Sequence, residues 1–185
     1  MNLEDRLAAA EQKLQYLSDR QEILDCIVRT ARGNDRFDLA RITGSYHPGA
    51  VHELGQKKIS GDEYGAHANH AHAAMCEANL HNVTMHACEI DGHVAHAESY
   101  VIGFFLDTGC ATARVLAGRY IDRLEKRDGR WGIVLRRATV EIPLEGSARL
   151  PNKRTVAGSG YLKGSRDQSD PSYQRPLNTD GGERW

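Results

Sequence analysis

From residue 80 onward the hydrophobic pattern repeats every second residue, and it does so in four long stretches. They are "LHNVTMHACEI" (80–90), "HVAHAESYVIGFFLD" (93–107), "TARVLAGRYIDRLEKR" (112–127) and "WGIVLRRATVEI" (131–142). Alternation of this length predicts strands with one apolar side, and that side must be buried on something. Asp91-Gly92 and Asp128-Gly129 fall between consecutive stretches, where tight hairpin turns are expected.

The first eighty residues supply the missing layer, because their pattern is helical. Leu3, Leu7, Ala10, Leu14 and Leu17 follow a 4-3-4-3 spacing, a short seam that needs a partner surface. Ser18 then reads as the N-cap of a second segment, with Ile23, Leu24, Ile27, Val28 and Ala31 on one face and an end near Gly33. Leu39, Ile42 and Tyr46 mark a short helix, and "YHPGAVHELG" reads as a Pro-Gly turn into a strand near Ala50 to Glu53. An Ala- and His-rich helix is expected from about Gly61 to Ala78. Three helices followed by a strongly curved antiparallel sheet define an α+β fold, and the inside of such a sheet is a natural pocket. Residues 1–17 are expected to form an amphipathic oligomer contact, 18–145 the domain, and 146–185 an extended tail rich in Gly, Ser, Pro and charge. The seam and the tail, through Tyr161 and Tyr173, suggest a homodimer or homotrimer.

Composition removes several function classes. At 185 residues one domain is the default. Twenty-four Lys and Arg against 25 Asp and Glu provide no basic field for nucleic acid. The start, "MNLEDRLAAAEQKLQ", lacks the basic and apolar regions of a secretory signal, and no window approaches the roughly 20 apolar residues of a membrane span, so a soluble cytoplasmic protein is expected. Cys26, Cys76, Cys88 and Cys110 lack C-x-x-C spacing and are expected as free thiols.

All nine histidines fall between His47 and His96, which raises the question of a metal. The spacing argues against one: His67, His70 and His72 lie at i, i+3 and i+5, with no H-E-x-x-H pattern. His81 stands apart as the polar member of an apolar row with Val83, Met85 and Ala87. It is either a satisfied core residue or a functional imidazole facing a carboxylate. Asp35 is a candidate for that carboxylate, since Ile27, Ala31 and Asp35 are spaced i, i+4, i+8. Equally, "DRFD" suits an N-cap role for Asp35.

The segments "LSDRQEILDCIVRTARGNDRFDLARITGSYHPGAVHELG", "LHNVTMHACEIDGHVAHAESYV" and "GRYIDRLEKRDGRWGIVLRR" resemble, in order, the SnoaL-like branch of the nuclear transport factor 2-like superfamily, over roughly residues 15 to 143. The resemblance implies a cone-shaped sheet around an apolar pocket, closed by three helices. It also implies chemistry, since the branch includes scytalone dehydratase, hexachlorocyclohexane dehydrochlorinase and bile-acid dehydratase, which use an aspartate and histidine pair without a cofactor. Matched segment to segment, the pair falls on Asp35 and His81. The chain departs from that pattern at Thr30, where such dehydratases tend to carry a tyrosine, at Met85 in place of a frequent asparagine, and in "YVIGFF", which lacks a further acid or histidine.

The expectation is therefore a cofactor-free, metal-free lyase acting on a small hydrophobic, aromatic substrate, with His81 as base and Asp35 holding its tautomer. A formaldehyde-releasing reaction on lignin-derived diaryl diols is the more specific form that the resemblance implies. Tyr46, His52, Met85 and Tyr100 are candidate substrate contacts. A ligand-binding or assembly domain without catalysis, and isomerase or hydrolase chemistry, stay open as alternatives.

Overall fold

The structure is a computed structural model that describes residues 2–149, 158–179 and 182–184. It opens on one long helix, α1 (Leu3–Arg36), capped by Asn2, whose side chain accepts from the Asp5 amide while the Asp5 carboxylate accepts from the Asn2 amide. The two helical segments expected on either side of Ser18 are thus continuous, and Ser18 caps nothing. Residues 19–22 carry no Gly or Pro to interrupt the turn, so the apolar stripe of the second segment simply extends the seam of the first. Only the second half of α1 has a core beneath it: Ile23, Cys26, Ile27 and Ala31 are buried, whereas Leu3, Leu7, Leu14 and Leu17 are exposed.

The remaining elements are α2 (Leu39–Thr43), β1 (Tyr46–Leu54), β2 (Lys57–Ser60), α3 (Gly61–Met75), β3 (Cys76–Asp91), β4 (Val94–Asp107), β5 (Thr112–Arg127), β6 (Arg130–Ala138) and β7 (Ile142–Ser147), with a short 3-10 turn, η1, at Pro171–Tyr173. The four long strands lie where the alternation predicts them, except that β6 stops at Ala138, short of the expected Ile142, and β3 starts at Cys76 because α3, expected to reach Ala78, ends at Met75. Arg127 pairs with Arg130 around Asp128-Gly129, both at positive φ, and Asp91 pairs with Val94 with Gly92 at positive φ. Two short strands go beyond the expectation. β2 pairs with β1 in a hairpin, and β7 pairs with the first half of β5 at residues where the hydrophobic pattern had faded. Pro48-Gly49 lies inside β1 at a register shift instead of preceding a strand.

The sheet runs β2-β1-β6-β5-β4-β3, with β7 beside β5. All pairings are antiparallel except β1 with β6, so the curved sheet is mixed. β5 serves two neighbours on one edge, β7 along 112–117 and β6 along 120–127. The chain crosses between them against Gly118, where an added Cβ would stand 2.0 Å from the Thr139 carbonyl oxygen. Only glycine permits that approach.

The concave face packs on α1 and α3 around Ile23, Ile27, Tyr64, Leu124, Trp131 and Ile133. Two buried polar anchors tie helix to sheet. Asp19 accepts from Trp131 Nε1 and Lys126 Nζ, both at 2.7 Å, and Arg136 donates to both oxygens of Asp122 (2.7 and 2.8 Å) and to Thr30 Oγ1 (2.6 Å). Burial disfavours the Arg136 charge, but the Asp122 carboxylate outweighs it and holds the guanidinium protonated.

The tail does not wait for a neighbouring subunit. Residues 164–174 lie on the same chain, with the Tyr173 hydroxyl donating to Asp38 Oδ2 (2.6 Å), while Tyr161 is exposed. Residues 150–157, 180, 181 and 185 of the expected tail lie outside the described residues. Among the described residues no helix is long and apolar enough to cross a membrane, and all four cysteines are free.

Candidate active site

Asp35 lies on the last turn of α1, one helical repeat beyond the buried Ile27 and Ala31, so its carboxylate points to the sheet. The helix passes Gly33 and ends three residues later, at Arg36, with Phe37 as its C-cap in the left-handed region (φ 53°). The capping role belongs instead to Asp38, whose carboxylate accepts from the Arg41 amide and starts α2.

Four hydrogen bonds converge on Asp35. The His81 amide donates to both oxygens (2.9 and 3.1 Å), Asn79 Nδ2 donates to Oδ1 (3.1 Å), and His81 Nδ1 lies 2.7 Å from Oδ1. A carboxylate only accepts, so Nδ1 carries the proton and the neutral ring keeps its lone pair on Nε2. Both side chains are about 10% exposed, so the contact is shielded from bulk water without being sealed.

His81 borders a cavity of about 220 Å³ between α3 and the concave sheet. Its walls are largely apolar and aromatic: Tyr64, Val101, Phe105, Leu116 and Tyr120 line it. Phe105 meets the His81 ring edge-on, with centroids 5.4 Å apart. That volume is small beside the roughly 300–1,000 Å³ typical of ligand pockets, and suits a substrate of about one ring.

Three more imidazoles, His52, His67 and His72, line the cavity. His52 stacks on Tyr64 (3.6 Å between centroids), and its Nδ1 lies 2.8 Å from the Tyr46 hydroxyl. With the Tyr46 hydroxyl as donor, His52 carries its proton on Nε2, an atom buried without a partner among the described residues. His72, on the last turn of α3, has its ring centroid 5.4 Å from that of His81 and a buried, unpartnered Nδ1. Burial pushes His52 down to about 3, helped by the nearby positive charge of Arg136. It pushes His72 down to about 4, with His81 beside it. Both rings are neutral at pH 7.

Among the sequence-derived candidates, the structure joins Asp35 to His81 and places His52 on the cavity, with Tyr46 buried behind His52. It removes Met85 and Tyr100 from the site. A bulge between Val83 and His86 reverses the alternation of β3, so Met85 points outward and is 67% exposed. Tyr100 alternates with the buried Ser99 and Val101 and lies on the convex face below the Arg119 guanidinium. Residues not foreseen are His72, Asn79, Phe105 and Arg114. Asn79 was within reach of the alternation rule, two residues before His81 on the same face. His72 was discounted for sharing no helical face with His67, yet both flank the Tyr64, Ala68, Ala71 and Met75 stripe that lines the cavity. Among the described residues, no three His, Cys, Asp or Glu side chains converge as a metal site would need.

The SnoaL-like domain profile matches residues 15–137, and the chain belongs to that family. No curated protein matches the sequence significantly. Solved structures with the same fold include a type 2 hexachlorocyclohexane dehydrochlorinase, at 21% identity and a TM-score of 0.69, covering 76% of this chain and 98% of its own. The type 3 enzyme from Novosphingobium barchaimii is 18% identical with a TM-score of 0.69, over 75% and 99% of the two chains. A scytalone dehydratase-like protein from Novosphingobium aromaticivorans is 15% identical with a TM-score of 0.64, over 74% and 93%. At these identities the likeness is one of fold.

Proposed function

We propose that the protein is a cofactor-free lyase that eliminates a small group from a compact hydrophobic, aromatic substrate held in the cavity. The carrying observation is the Asp35–His81 contact at the wall of an apolar chamber, with His81 Nδ1 engaged and Nε2 left to act. In this reading His81 Nε2 takes a proton from the substrate, the electron pair of that bond forms the new alkene, and the bond to the leaving group breaks with its electrons on the leaving oxygen. Asp35 stabilises the imidazolium that results. His52, a neutral imidazole on the wall of the same cavity, would assist by donating from Nε2 to the developing negative oxygen once the substrate reaches that nitrogen.

The same base suits a formaldehyde-releasing reaction on a diaryl diol. His81 would then remove the hydroxymethyl O–H proton, the carbon–carbon bond would break to give formaldehyde, its electrons would form the alkene, and the second hydroxyl would leave as water with the proton returned from His81. A two-ring substrate would have to extend through the cavity mouth. The dehydrochlorinase and dehydratase names among the fold neighbours support elimination as the general class. The exposed seam of α1 is read as the contact of a homodimer or homotrimer.

Incubating the protein with aromatic alcohols and 1,3-diols tests this reading. Growth of conjugated-alkene absorbance is expected, with formaldehyde captured by a carbonyl trap only from the diols. Binding of these compounds with no chemical change would favour a ligand-binding domain.

A further inference from the structure

The tail returns to the site from a direction that the dyad alone does not require. Arg166 lays its guanidinium over the Phe37 ring, 4.6 Å from the centroid. Its Nη1 is 3.4 Å from the His72 carbonyl oxygen and 3.5 Å from Asn79 Oδ1. One side chain thus touches the residue that ends α1 just after Asp35, the last turn of α3 that carries His72, and the β3 residue whose amide holds Asp35.

The segment is pinned beside the same helix turn. Asp170, 5% exposed, accepts from the Ser165 amide (2.8 Å) and the Ser172 amide (3.0 Å), and it lies 3.4 Å from Arg36 Nη1. Arg36 Nη1 also donates to the Ser165 carbonyl (3.1 Å). Tyr173 closes the far end, through its bond to Asp38 and the Arg32 guanidinium 4.9 Å from its ring centroid. Gly164 permits the packing, since a Cβ there would stand 3.0 Å from Arg36 Nη1 and 3.3 Å from Asp170 Oδ2. Arg36 follows Asp35 directly, so the anchor of the tail and the carboxylate of the dyad share one turn.

We propose that residues 164–173 form a strap that positions the dyad, with Arg166 as its positioning residue. Arg166 Nη1 donates to Asn79 Oδ1, which fixes the amide so that Nδ2 faces Asp35. The carboxylate then keeps a single orientation, and His81 a single tautomer. Arg166 touches no substrate in this scheme. The proposal rests on the dyad being the working pair, but its test does not need turnover.

The test is ring-nitrogen and side-chain amide NMR on the full-length protein, with signals assigned through His81→Gln and Asn79→Asp. Wild type is expected to show one His81 tautomer, protonated on Nδ1, and an Asn79 side-chain amide that exchanges slowly with solvent. Arg166→Ala should mix the tautomers and speed Asn79 exchange by at least about tenfold, by opening the local structure. Arg166→Lys should recover part of the effect. Gly164→Val, which wedges the Arg36–Asp170 pair apart, should reproduce the loss without removing the arginine and serves if Arg166→Ala folds poorly. An unchanged His81 tautomer and unchanged Asn79 exchange in folded Arg166→Ala or Gly164→Val protein would overturn the proposal. A protein that passes this test yet converts no substrate would refute the lyase reading and leave the strap intact.

Discussion

At the scale of single residues, Asp35 and His81 gain their meaning from what each leaves unsatisfied. The carboxylate is engaged by four donated hydrogen bonds, whereas the imidazole spends one nitrogen on it and borders an apolar chamber with its ring. Asp35→Asn keeps the shape but offers an amide N–H or a weaker acceptor, so the tautomer is no longer enforced. We expect kcat to fall by about 10²–10⁴-fold, as when a triad aspartate is lost, and steady-state kinetics on any converted substrate checks it. His52 and His72 make a separate prediction about stability. Their folded values, about 3 and about 4, lie below the ordinary 6.5. Between those values and 6.5 the unfolded chain binds more protons, so stability is full above 6.5 and falls as pH drops towards 4 and 3. Each ring contributes a slope of up to about 1.4 kcal/mol per pH unit. Denaturant unfolding of His52→Gln should therefore show a shallower loss between pH 6.5 and 4 than wild type. Asp35 and His81 were legible as candidates because helix and strand periods each aim one side chain inward. Met85 was misplaced because a bulge leaves no mark in an alternating pattern, and shifts every later side chain to the opposite face.

At the scale of elements, α1 joins two roles that the sequence shows as separate segments. Its second half lies on the sheet and delivers Asp35, while its first half projects four exposed leucines into solvent. A solvated stripe of that kind is costly unless a second copy covers it. Leu7→Lys with Leu14→Lys should lower the assembly mass in analytical ultracentrifugation while leaving the domain folded; an unchanged mass would assign the contact to another surface. β7 and the strap were illegible for a related reason. Both consist of polar, Gly- and Pro-containing sequence whose structure comes from pairing with distant residues, β7 on β5 and Asp170 on Arg36, and no local period encodes such pairing.

At the scale of the whole molecule, the cone works because a few buried polar contacts fasten the helix layer to the curved sheet without filling the chamber between them. Arg136 is the deepest, joining two neighbouring strands and α1 through Asp122 and Thr30. Asp122→Ala would leave a guanidinium buried without its counter-charge, and we expect a loss of about 3–5 kcal/mol in urea unfolding. The α+β class and the long strands were readable from period alone, whereas the size of the chamber was not, since it is set by side chains from helix and strands that meet only in three dimensions. The most direct measurement of the central claim is product mass under identical conditions for wild type, Asp35→Asn and His81→Gln. The account predicts a wild-type product lighter than the substrate by the mass of its leaving group plus the proton His81 removes, formed at least about 100-fold more slowly by both variants. Equal rates in the three proteins, or a product of unchanged mass, would contradict it.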